Sequence, residues 1–157
     1  MRGCDHYSVG MIARNEKRIL IIQKREKPYG YAAPAGHLDG DDYPEACIRE
    51  FQEKTGLKVV GEPKPIQLSK GTYRRNECRR EGGAYHFWRL FEVQWEGKLD
   101  HSKKETMGVG WLTIKQIKLL GERTEKYLDG KITEMNWMTQ PGLEPIWYEF
   151  LKELEII

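Results

Sequence analysis

Residues 34–57 read PAGHLDGDDYPEACIREFQEKTGL, a glycine-rich loop that runs into a charged segment and stops at Gly56. Asp42 can cap a helix, Pro44 falls in its first turn, and Glu45 stands three residues after Asp42 as a capping pair requires. Gly56 then supplies the residue that most readily ends a helix. At about 100° per residue, Cys47, Ile48, Phe51 and Thr55 fall on one side and are expected to face a core. Glu50 and Glu53 fall on the other side, three residues apart, with Cβ atoms about 5–6 Å from each other. Two hard oxygen donors on a rigid element suit Mg²⁺, which commonly takes one or two carboxylates and completes its shell with substrate phosphates. From spacing alone, however, a solvated glutamate face is the commoner outcome.

Working outward, residues 6–14 and 18–25 read as two strands joined by a polar turn around Asn15-Glu16. The second holds four consecutive apolar residues, Ile19 to Ile22, and is expected to be buried on both faces. Residues 26–42 contain Pro28, Gly30, Pro34, Gly36 and Gly40, the composition of a long shaped loop. Residues 57–69 are strand-like, with Pro63 and Pro65 placing the middle at an edge or bend. A polar, basic loop follows over 70–82. Residues 84–95 (AYHFWRLFEVQW) alternate well and form the strongest strand signal. A short strand is expected over 107–112, then a helix capped by Thr113 and Gln116, and a further helix over 122–129. Leu143, Ile146, Trp147, Phe150, Leu151 and Leu154 form one stripe of an amphipathic C-terminal helix. No repeat, low-complexity tract or linker divides residues 1–157, so one domain is expected. Its class is α/β or α+β, a sandwich built on a mixed sheet.

The bulk numbers narrow the function. With 39% hydrophobic and 32% charged residues the chain suits a soluble globular domain. A net charge of +2 over 157 residues is too small for a dedicated nucleic-acid or membrane-surface protein. No signal peptide or membrane span is expected. The three cysteines, Cys4, Cys47 and Cys78, are odd in number and widely spaced, which argues against a disulfide framework and for a cytoplasmic location.

The 34–57 stretch resembles the Nudix box. That motif is a glycine, five residues, a glutamate, seven residues, Arg-Glu, an apolar residue, any residue, two glutamates, any residue, glycine and an apolar residue. Arg49-Glu50-Phe51-Gln52-Glu53 and Thr55-Gly56-Leu57 match its second half, and Gly36 and Gly40-Asp41 match the first, with Asp41 at the first glutamate position. The resemblance implies an α/β/α sandwich around a mixed sheet and hydrolysis of a nucleoside diphosphate linked to another moiety. A nucleoside triphosphate or a nucleotide sugar would be such a substrate. It also implies Mg²⁺, or Mn²⁺, held by Glu50, Glu53 and the backbone carbonyl of about Ala35, and pairing of Arg49 with Asp41. Glu53, Glu50 and Glu105 are then the candidate catalytic residues, Glu105 because it precedes the strand ending near Trp111.

Two positions depart from the motif. The loop between Gly36 and Asp41 has four residues where the motif has five. The second of the paired glutamates is Lys54, in the favourable order for an ion pair with Glu50 at i+4. Lys54 removes one carboxylate and adds a positive charge, so it either weakens the metal site and shields Glu50, or touches substrate phosphate, or turns out to solvent. An inert nucleotide-binding module is therefore a rival to the enzyme. Arg49, Lys54, His37, Tyr31 and Arg79 are the candidate substrate-binding residues, with Tyr29 beside Tyr31 as a second stacking surface. Residues 70–80 hold Lys70, Arg74, Arg75, Arg79 and Arg80 against one acid, Glu77, and could grip phosphates or an RNA 5′ end. A small-molecule nucleotide is the favoured partner over RNA, and a homodimer is left open. Cys78 and His86 suggest zinc, but with no second pair at zinc spacing a structural zinc is not expected.

Overall fold

The computed structural model describes residues 3–66 and 71–157, so Lys70 and the end of the strand-like 57–69 stretch lie outside the described residues. Its strands are β1 (Tyr7–Ile12), β2 (Arg14–Asn15), β3 (Arg18–Lys24), β4 (Tyr31–Ala32), β5 (Ala35–His37), β6 (Lys58–Pro65), β7 (Thr72–Arg74), β8 (His86–Glu96) and β9 (Thr106–Thr113). Its helices are α1 (Tyr43–Thr55), α2 (Ile114–Leu128), α3 (Glu134–Thr139) and α4 (Pro145–Glu153). One sheet runs β5-β1-β8-β6 with β7 also on β8, and the other runs β2-β3-β4 with β9 on β3. β1 and β8 are parallel, in register from Tyr7↔Phe87 to Ile12↔Glu92, while β5 is antiparallel to β1 and β6 to β8. The sheet is therefore mixed.

Alternation along the strands feeds two cores. Val9 and Met11 of β1 join Phe91 and Val93 of β8 against Ala46, Cys47 and Phe51 of α1. Ile12, Trp88 and Leu90 face the other way, onto Ile117 of α2 and Ile146, Trp147 and Phe150 of α4. Helices thus cover both sides of the strands, the sandwich expected from the sequence. β3 is buried on both faces, Leu20 in the first core and Ile19 and Ile21 in the second. Each such side chain contributes about 1.5–3 kcal/mol of burial free energy. The prolines act as expected on β6, which among the described residues pairs only with β8 and slips register between Val60 and Lys64.

α1 starts at the expected cap, where the Asp42 carboxylate accepts from the Glu45 N–H at 2.9 Å, and it ends at Gly56 with φ 80°. Thr113 and Gln116 form a complete capping box on α2.

Three expectations change, and one element is new. Ile48 is 45% exposed, because the buried stripe of α1 is Ala46, Cys47, Glu50 and Phe51, which turns Ile48 outward and draws Glu50 inward. The segment 122–129 is not a separate helix but continues α2. Gly121 inside it lies close to Tyr148 of α4, leaving no reason for a break. The 26–42 loop carries two short strands, β4 and β5. A short helix, α3, capped by Thr133, follows α2.

Candidate active site

β5 brings Ala35, Gly36 and His37 beside β1, and the chain then turns through residues 38–42 into α1. Arg49 fastens that turn to the helix. Its Nε donates to Asp41 Oδ2 at 2.8 Å, Nη1 to Glu50 Oε1 at 2.7 Å, and Nη2 to the carbonyls of His37 and Leu38 at 3.1 and 3.0 Å. A planar guanidinium can serve all four acceptors at once, which an ammonium cannot. The expected pairing with Asp41 is present. Arg49 also borders the cleft, with these donors engaged by the loop and Glu50.

Glu50 is nearly buried, its side chain 7% exposed. Burial pushes its carboxyl above the usual carboxylate range, with Lys54 and Arg49 opposing and Glu53 adding to the rise. Gly36 makes the space: a methyl group there would stand 2.1 Å from Glu50 Cδ and 2.4 Å from Oε2. The glycine of the loop and the glutamate of the helix therefore interlock. Glu53 is exposed on the same side, and Glu50, Glu53 and Ala35 all border one cleft of about 670 Å³.

Lys54 does not bridge to Glu50. Its Nζ lies 2.6 Å from Glu105 Oε2, so the two residues that depart from or extend the motif neutralise each other across the cleft. Burial raises the Glu105 carboxyl, but hydrogen bonding and charge from Lys54, with Arg79 and Arg80, hold it below its ordinary value. In this pairing Glu105 is a weak proton acceptor.

The basic loop is less basic than its composition. Arg74 pairs with Glu149 and Glu153 of α4, Arg79 with Glu26, and Arg80 with Asp39 at 2.5 Å. Arg79 also stands 3.8 Å from Glu105, at the cleft. Tyr31 is not among the residues that border the cleft. It packs against the core, and its backbone is tied to Gly142 and Glu144 at the entry to α4. The aromatic wall of the cleft is instead Trp88 and Trp147, edge to face at 5.9 Å, and Lys24 and the buried Glu144 add an ion pair at 3.1 Å. Trp147 stood in the amphipathic stripe and Trp88 in the alternating strand, where both read only as core.

His37 borders the cleft, as His86 does, and the His37 ring meets Cys4 and His86. Nε2 lies 3.5 Å from Cys4 Sγ, and the His86 ring is 5.4 Å off. Burial, then the charge of Arg80, lowers its pKa to about 4. The expectation that Cys78 and His86 lack a second ligand pair is overturned. Cys4 and His37, distant in sequence, complete a cluster whose ligand atoms all lie within 4.8 Å of one another.

A sequence model described as the NUDIX domain matches residues 5–134. The chain belongs to this family, whose class is hydrolases acting on acid anhydrides in phosphorus-containing compounds. Among solved structures it is similar to the MutT protein from Methanosarcina mazei Go1, with a TM-score of 0.65 and 16% identity over 99% of this chain and 96% of that one. It is also similar to a MutT NUDIX hydrolase from Burkholderia pseudomallei (TM-score 0.59, 16% identity, covering 70% of this chain and 84% of that one). A NUDIX hydrolase from Nitrosomonas europaea gives TM-score 0.55 and 22% identity, covering 80% and 90%. At these identities the likeness is one of fold. No curated protein matches the sequence significantly.

Proposed function

We propose that this chain is a Mg²⁺-dependent pyrophosphohydrolase, with Mn²⁺ as an alternative ion, acting on a nucleoside diphosphate linked to another moiety. A nucleoside triphosphate or a nucleotide sugar is the substrate class. The observation that carries this reading is the Arg49 hub, which holds Asp41, Glu50 and two loop carbonyls so that the box carboxylates border one cleft. The donor set fits a hard divalent ion. Glu50 and Glu53 would supply carboxylate oxygens, Ala35 borders the same cleft and would add its carbonyl, and the missing Cβ of Gly36 leaves room for the Glu50 carboxylate. Such an ion, when bound, neutralises phosphate charge and makes water a better nucleophile.

The chain's own groups do the rest. Arg49 occupies Glu50 Oε1, leaving Oε2 without that partner, and burial makes this carboxyl a better proton acceptor than Glu105. Glu53, exposed, is the second metal-binding carboxylate. Lys54 and Arg79 border the phosphate side, and Trp88 offers an aromatic edge.

Lys54 bridged to Glu105 favours one second reading, a nucleotide-binding module whose turnover is lost. The RNA reading is weakened, since Arg74, Arg79 and Arg80 are each already paired with acids. A release assay for phosphate and pyrophosphate over a nucleotide panel, with and without Mg²⁺, tests the proposal. Mg²⁺-dependent release from any panel member supports hydrolysis. Saturable nucleotide binding with no release at any metal concentration replaces it with the binding module.

A further inference from the structure

We propose that Cys4, His37, Cys78 and His86 form a structural Zn²⁺ site, distinct in its ligands from the carboxylate site although His37, Cys78 and His86 border the same cleft, and independent of the hydrolytic reading. Four segments converge on it. Cys4 comes from the N-terminal segment, held where its N–H donates to the Glu81 carbonyl at 2.9 Å. His37 ends β5, and His86 begins β8. Cys78 lies in a turn whose N–H donates to the Gly83 carbonyl at 2.8 Å, while the Gly83 N–H returns to Arg80 at 3.1 Å. Any side chain at Gly83 would enter that turn, since a Cβ there would stand 2.2 Å from Cys78 Sγ.

The distances suit a tetrahedral ion. Cys4 Sγ is 3.2 Å from His86 Nε2 and 3.5 Å from His37 Nε2, and no two ligand atoms are more than 4.8 Å apart. Bonds of about 2.3 Å to sulfur and 2.0–2.1 Å to nitrogen at tetrahedral angles place neighbouring ligand atoms about 3.3–3.8 Å apart. The cluster therefore needs to contract by about 1–1.5 Å at most. Two thiols and two imidazoles match zinc and exclude Mg²⁺, which takes oxygen.

The surroundings also choose the ring nitrogen. His86 Nδ1 lies 3.0 Å from the Asn76 carbonyl oxygen and 3.2 Å from its Oδ1. That Oδ1 also accepts from Trp88 Nε1 at 3.0 Å, which fixes the amide with its oxygen towards the histidine. Facing two acceptors, Nδ1 carries the proton, and the Nε2 lone pair points at the cluster. A ligating histidine whose other nitrogen donates to a carbonyl is the usual arrangement at zinc sites. With four protein donors the site is closed, so its work is mechanical. It would tie the N-terminal segment and the turn before β8 to His37, the residue next to Gly36, and so brace the loop beneath Glu50.

The test is metal content of the full chain prepared with reductant and dialysed against zinc-free buffer containing Mg²⁺. The expected result is about one Zn²⁺ per chain, falling at least tenfold in Cys78→Ser and His86→Asn but not in Cys47→Ala, which removes the third cysteine. Because a variant can fail to fold, the wild-type chain is also loaded with Co²⁺. Thiolate-to-cobalt charge transfer with intense tetrahedral bands, unchanged by excess Mg²⁺ or by Glu53→Gln, supports the site. Wild-type chain that retains no zinc and gives only a weak octahedral cobalt spectrum overturns it. A Cys4–Cys78 disulfide that persists in reductant and blocks metal uptake overturns it as well. Neither result depends on whether the nucleotide panel is hydrolysed.

Discussion

Gly36→Ala isolates the contact between the loop and the box helix. The added methyl would meet Glu50 Cδ at 2.1 Å, Cγ at 2.4 Å and Oε2 at 2.4 Å, so the Glu50 side chain must move. It has little room, being nearly buried and tied to Arg49 at 2.7 Å. Overpacking of this kind costs about 1–3 kcal/mol. Weakening a charge-assisted hydrogen bond adds about 1–2 kcal/mol. A total of about 2–5 kcal/mol corresponds to a fall in Tm of about 4–20 °C for a chain of this size. Misplacing the carboxylate by about 1 Å would lower metal-dependent turnover about 10²-fold. The assay is a double-mutant cycle with Glu50→Ala, read by chemical and thermal unfolding. Once the Glu50 side chain is gone, Gly36→Ala should cost less than about 0.5 kcal/mol, because the methyl then enters vacant space and restricts the unfolded chain. Equal costs in both backgrounds would refute the interlock and, with it, the claim that Gly36 shapes the metal site.

Three further outcomes follow from the same geometry. Lys54→Glu restores the motif carboxylate and breaks the 2.6 Å bridge to Glu105. The metal-free variant should melt below wild type, and its Tm should rise further on adding Mg²⁺; an equal or smaller rise would show that Lys54 does not limit metal binding. Arg49→Lys cannot span Asp41, Glu50 and two carbonyls, so it should cost about 2–3 kcal/mol by equilibrium unfolding, and a loss under about 0.5 kcal/mol would contradict the hub. Burial raises the Glu144 carboxyl above the usual range, with Lys24 only partly opposing. Its stabilising contribution is thus present below the unfolded carboxylate pKa and is lost as pH rises through the raised folded value. Glu144→Gln should gain stability relative to wild type as pH goes from about 4 to 7; a relative loss over that range would reverse the sign and sink the assignment.

Local signals carried over into the structure where neighbours only reinforced them. Asp42, Gly56 and Thr113 each act through atoms a few residues away, and their caps form as expected. The apolar run at Ile19–Ile22 and the alternation over 84–95 set strands because each pattern has one satisfactory burial. Long-range placement was not legible. The stripe of α1 turned far enough to bury Glu50 and expose Ile48, a choice made by the loop at Gly36. Lys54 sits within reach of Glu50 in sequence, yet its partner is Glu105, brought in by β9. The basic loop was read by composition, but the acids that pair with it lie on α4, before β4 and beside His37. The sulfur–imidazole cluster draws on residues 4, 37, 78 and 86, whose spacings follow no short motif. The pairing of β1 with β5 and β8, with the Cys4–Glu81 and Cys78–Gly83 backbone bonds, brings them together.

That pairing has a consequence for a chain emerging from the ribosome. β1 leaves first, and one of its edges is claimed when β5 follows, with Gly10 meeting Ala35. The other edge waits for β8, because Tyr7 pairs with Phe87. At about 5–20 residues per second, the intervening stretch of roughly 80 residues takes about 4–16 s to synthesise. For that interval the nascent N-terminal half carries an open apolar ribbon, and neither core can close until β8 emerges.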